Sequence, residues 1–152
     1  MLLSVKNLAT HFHAGPGRIA RAVDGVSFDL QQGKTLALVG ESGCGKTQTA
    51  FSIIQLIAEN GYHPSGEICF ENKNLSKLDQ EEMRHLRGND IAMIFQEPMT
   101  SLNPLFRIGD QLQEPLKQHL KVSQGASRKR AIELLDRVGI PDPQKRVDDF
   151  PH

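Results

Sequence analysis

Eight consecutive residues, Gly40-Glu41-Ser42-Gly43-Cys44-Gly45-Lys46-Thr47, match the spacing G-x-x-x-x-G-K-[ST]. A phosphate chain concentrates negative charge, and a ring of backbone N–H groups at the start of a helix holds it well because the helix dipole is also favourable there. The glycines let the backbone come close. In such a loop Lys46 is placed to reach the outer phosphates, and the Thr47 hydroxyl to coordinate a Mg²⁺ ion that bridges phosphate oxygens. The loop asks of Cys44 only its backbone N–H.

This chemistry requires a strand before the loop and a helix after it, and the surrounding pattern predicts both. Lys34 to Val39 is a short apolar run consistent with a strand buried on both faces. From Lys46 onward Ala50, Ile53, Ile54 and Ile57 fall at helical spacing, until Asn60-Gly61 ends the pattern. Upstream, Leu3, Val5 and Leu8 against polar neighbours, then Ala22 to Leu30 after Gly15-Pro16-Gly17, read as two antiparallel strands. Gly66 to Glu71 predicts another strand, Asp79 with Glu82 a capping-box start for a short helix, and Ile91 to Phe95 a buried strand. Amphipathic helices are expected over about Ile108 to Leu120 and Arg128 to Val138, with a polar linker between them and a loop-like tail from Pro141.

Composition narrows the partners. Lys plus Arg number 18, as do Asp plus Glu, so the formal charge is zero and no global field draws the chain to nucleic acid. The basic run Arg128-Lys129-Arg130 reads as a solvated helix face. The two cysteines, Cys44 and Cys69, suggest no disulfide framework and fit a reducing compartment. No apolar run is long enough to span a bilayer and no signal-peptide pattern opens the chain, so membrane work is expected only as a peripheral subunit. The six histidines show no metal-ligand spacing.

Taken with the loop, Ala92-Met93-Ile94-Phe95-Gln96-Glu97-Pro98-Met99-Thr100-Ser101-Leu102-Asn103-Pro104 carries a family resemblance. The sequence resembles the nucleotide-binding subunits of ABC transporters. Gly40 to Thr47 looks like their Walker A loop, and Ala92 to Pro104 like their Q-loop in the form typical of oligopeptide, dipeptide and nickel importers. Ala22 to Phe28 and Gly139 to Pro143 are similar to that subfamily as well. The resemblance implies an α/β fold: a P-loop NTPase core of ABC type, a small antiparallel β layer and the beginning of a helical subdomain, with residues 1–105 in the ATPase part and 106–152 in the helical part.

It also implies roles. Phe12 matches the aromatic on which the family stacks adenine; Gly40, Glu41, Ser42, Gly43, Cys44, Gly45, Lys46, Thr47 and Gln48 match nucleotide-contacting positions. Lys46 and Gln96 match catalytic positions, and Thr47 and Gln96 match metal-contacting ones. The cofactors implied are ATP and Mg²⁺. The partners implied are membrane permease subunits, a second ATPase subunit or domain and, indirectly, an extracytoplasmic substrate-binding protein, with the chain peripheral on the cytoplasmic face of the inner membrane. His152 falls just before the subfamily's signature motif. The expectation is therefore a chain that holds the phosphate-binding half and binds but does not hydrolyse ATP by itself. The alternative is a non-catalytic nucleotide-binding or regulatory fragment.

Overall fold

The structure, a computed structural model, describes residues 1–97 and 101–152. The chain forms two compact units, Met1–Arg84 and His85–His152. In the first, β1 (Leu3–His13) is the centre of a sheet ordered β2-β1-β3-β4, with β2 (Ile19–Leu30), β3 (Gly61–Phe70) and the short β4 (Lys73–Asn74) all paired antiparallel. The spacing Leu3, Val5, Leu8 breaks strict alternation. A register shift between Val5 and Leu8, with Asn7 at φ 47°, repairs the parity, because one extra residue returns Leu8 to the core face. Val5, Leu8, Ile68, Leu75 and Met83 are all at most 1% exposed. Each such aliphatic side chain contributes roughly 1.5–3 kcal/mol by leaving water.

Helix α1 (Lys46–Ile53) ends earlier than the apolar spacing predicts. Gln55 adopts φ 53°, and its N–H bonds to Ser52 O while Leu56 N–H bonds to Phe51 O. That pair of bonds is a Schellman closure. It leaves Ile57 beyond the helix. Helix α2 (Gln80–Leu86), which begins in the first unit, starts with the expected capping box: Asp79 N–H bonds to Glu82 Oε2 at 2.9 Å and Glu82 N–H to Asp79 Oδ1 at 2.8 Å.

Two expected buried strands are not observed as such. Residues 34–39 form no strand and are exposed, Val39 to 93%. Ile91 makes only an isolated bridge to Arg87, and Ile94 is 97% exposed. Strands apolar on both faces are stable when neighbours flank them and helices cover them; among the described residues none forms a ladder with either run.

In the second unit, α3 (Ile108–Leu120) has its expected bounds, whereas α4 (Gln124–Arg137) starts inside the expected linker. Ser123 caps it, its Oγ accepting from Ala126 N–H. The tail is not wholly loop, since Pro143 opens a one-turn α5 (Pro143–Arg146), a position where proline loses no hydrogen bond. Ala131, Leu135 and Val147 form the core of this unit, packed by Ile108, Leu112 and Ile132. Gln113 and Ser127, both buried, bond across it at 3.0 Å.

Candidate nucleotide-binding site

The loop from Gly40 to Gly45 leads directly into α1. Gly43 and Gly45 sit at φ 81° and 90°, in the left-handed region that costs a side-chain-bearing residue strain. Gly45 has a second constraint, because a Cβ there would come within 2.2 Å of the Ala22 carbonyl oxygen on β2. The loop is thus seated against the antiparallel layer. At its other end a Cβ on Gly40 would meet Cys44 Sγ at 2.6 Å, so the thiol is turned beneath the first glycine.

Lys46 closes the ring. Its Nζ donates to Gly40 O and to Glu41 O, both at 2.7 Å, and lies 3.5 Å from Cys44 Sγ. A single ammonium from the first residue of α1 therefore reaches back to the loop's first two residues, fixing a cation at the loop. The first turn of α1 has no side-chain cap and no acidic residue, so its N–H groups keep their capacity to bond an anion. Thr47 is exposed and Gln48 half-buried on that same turn. Backbone N–H groups, a positioned ammonium and an exposed hydroxyl are a donor set for a polyphosphate with a divalent cation.

Phe12 lies near the end of β1, half-buried, opposite Gly61 of β3. A Cβ on Gly61 would stand 2.7 Å from the Phe12 ring, so the ring occupies the space the glycine leaves. Phe12 and Gly40 to Gln48 belong to the first unit; Gln96 is exposed at a bend in the second. Pro98, Met99 and Thr100 of the expected Q-loop lie outside the described residues.

The sequence reading missed a buried polar cluster. Thr10 and Ser52 are fully buried, with Thr10 Oγ1 and Ser52 Oγ 2.7 Å apart, and His63 Nδ1 is 3.1 Å from Thr10 Oγ1. Burial pushes the His63 imidazole below its ordinary pKa, opposed by a hydrogen bond to the Ala9 carbonyl. A signal existed: Ser52 adjoins the apolar residues of α1, and Thr10 follows the core strand positions.

Residues 23–152 match the ABC transporter family, and the chain belongs to it. Among its relatives is the oligopeptide transport ATP-binding protein OppD of Bacillus subtilis (strain 168), 52% identical over 152 residues, which cover 99% of this chain and 42% of that protein. The dipeptide transport ATP-binding protein DppD of Lactococcus lactis subsp. cremoris (strain MG1363) is 49% identical, with coverage of 99% and 43%. The chain spans about two fifths of the length of these curated relatives. The dimeric ATP-binding cassette MJ0796 in a post-hydrolysis state with ADP and Pi superposes with a TM-score of 0.81 at 23% identity, over 99% of this chain and 62% of that one. That likeness is one of fold. The expected fold class, the α/β ATP-binding cassette with a small antiparallel layer, is the one found, and this chain holds part of it. No helix among the described residues is long and apolar enough to cross a membrane.

Proposed function

We propose that this chain is the phosphate-binding part of an ATP-binding subunit that energises ABC-type import of peptides. The observation that carries the reading is the Lys46 ammonium held at 2.7 Å from two carbonyls of the Gly40–Gly45 loop, above an uncapped helix start. Relatives named for oligopeptide and dipeptide transport support the substrate class. In this reading Gly40 to Gln48 would cradle the phosphates, Lys46 would neutralise their charge and Phe12 would offer its ring face to adenine; Thr47 would hold Mg²⁺, and Gln96 would carry the metal-contacting role that the family resemblance implies for it. Mg²⁺, when bound, would supply neutralisation of the phosphate charge. The partners in this reading are permease subunits, a second ATPase subunit or domain and, indirectly, an extracytoplasmic substrate-binding protein, with the chain peripheral at the cytoplasmic face of the inner membrane. Residues to 105 serve the ATPase part and those from 106 the helical subdomain.

The proposal extends to turnover. Phosphoryl transfer needs positioning plus electrostatic stabilisation of the attacking water as well as of the phosphates. The residues assigned here provide a cradle, a cation and a neutral amide, and none of them, Glu41 of the loop included, is assigned the role of base. These 152 residues alone therefore bind ATP without steady-state hydrolysis. Calorimetry with MgATP should show binding that falls about a hundredfold in Lys46→Ala, as a charged hydrogen-bond donor is lost. Equal affinity would overturn the phosphate reading, and hydrolysis above the Lys46→Ala control, proportional to chain concentration, would overturn binding without turnover.

A further inference from the structure

Helix α1 is joined to the strand that bears Phe12 by a hydrogen-bond chain whose direction can be worked out. Ser52 Oγ lies 2.6 Å from Gln48 O. A carbonyl only accepts, so Ser52 donates its hydrogen there. Ser52 Oγ must then accept from Thr10, 2.7 Å away, and Thr10 Oγ1, its hydrogen committed, must accept from His63 Nδ1 at 3.1 Å. The Ala9 carbonyl, 3.3 Å from the same Nδ1, independently requires that nitrogen to carry the hydrogen. The chain thus runs one way, from β3 through β1 to the first turn of α1. The two hydroxyls are satisfied in series, as a buried polar network requires to stabilise, while His63 Nε2 at the outer end is buried without a partner.

The residues of α1 that are buried are Thr49 and Ser52, both polar. Thr49 Oγ1 donates back to the carbonyl of Gly45, the N-cap of its own helix, at 3.0 Å. Ser52 gives the helix a directional link to the sheet. Apolar packing tolerates small slips, whereas a 2.7 Å hydroxyl pair does not. Thr10 is two residues from Phe12 on β1, and Gln48 is two residues from Lys46 on α1.

We propose that Thr10 and Ser52 are positioning residues that hold the phosphate-binding helix in register with the base-stacking strand, so that base and phosphates of one nucleotide are met together. This rests on the nucleotide reading above, in particular on the role given to Phe12. Neither hydroxyl touches the ligand.

The test measures dissociation constants for MgATP and for inorganic triphosphate with magnesium, which lacks the base. Thr10→Val keeps the shape and deletes the hydroxyl; Ser52→Ala does the same from the helix side. Each should lower the preference for ATP over triphosphate about fivefold, the worth of one net hydrogen bond, while triphosphate affinity stays unchanged. Thr10→Ser should restore the native ratio. In Phe12→Ala the ratio should fall by at least as much, and adding Thr10→Val should lower it no further, since the tie acts through the base. Equal weakening toward both ligands, or an unchanged ratio in Thr10→Val and Ser52→Ala while Phe12→Ala lowers it, overturns the tie alone. An unchanged ratio in Phe12→Ala overturns the base reading instead. Should Thr10→Val fail to fold, Ser52→Ala carries the same comparison.

Discussion

Strand β1 and the run from Lys34 to Val39 are both rich in Val, Leu and Thr, yet the first is the centre of a sheet and the second lies in water. Val5 and Leu8 are 1% exposed, Val39 is 93%. What separates them is the source of their partners. β1 pairs antiparallel with β2, reached through a short turn, and with β3, which the chain reaches only after α1. Residues 34–39 have no ladder among the described residues. Apolarity recommends a segment for burial, but hydrogen-bonded neighbours decide it. The phosphate loop borrows from the paired region, since Gly45 closes on the Ala22 carbonyl of β2.

The contrast is broken most directly at its two extremes. Ile68→Ala, at a fully buried position, should destabilise by about 2–5 kcal/mol, whereas Val39→Ala should change stability by less than about 0.5 kcal/mol. Urea unfolding of both variants tests this; comparable losses would mean that residues 34–39 are packed in solution. Next, Gly45→Ala should cost about 1–3 kcal/mol from its φ alone, with more from the clash on Ala22. It should also remove ATP binding, because the loop cannot keep its seat on β2. Retained binding would detach the loop from the layer.

A smaller effect compares the two thiols. Cys44 is exposed in the loop, and Cys69 is half-buried on β3 opposite Ser4 and Asn74. Timed maleimide labelling read by mass spectrometry should modify Cys44 first, and MgATP should protect it. Equal rates, indifferent to nucleotide, would argue against an open loop.

The smallest effect belongs to His63. The folded chain holds its imidazole below the ordinary 6.5, so the unfolded chain takes up the proton first as pH falls. The stability it contributes is complete above about pH 6.5 and is lost as pH drops from there toward the folded value. Thermal midpoints should decline over that window, and less so in His63→Gln. Identical profiles would place the acid sensitivity elsewhere.

Sequence alone determined what depends on neighbours along the chain. Gly40 to Thr47 was legible as a candidate phosphate loop running into a helix because its glycines, lysine and threonine stand at fixed local spacing. The Asp79–Glu82 capping box and the bounds of α3 were legible for the same reason. The end of α1 was not, because Ile54 and Ile57 prolonged the pattern while a left-handed Gln55 ended the helix. Nor was the fate of residues 34–39 and 91–95, whose burial depends on partners that no periodicity within the run can supply. Only the tertiary structure brought Thr10, Ser52 and His63 together from three elements, placed Gly61 beneath the Phe12 ring and set Gly45 against Ala22. Each of these contacts joins residues distant in sequence, where a side chain's role is decided by what the fold places within about 3 Å of it.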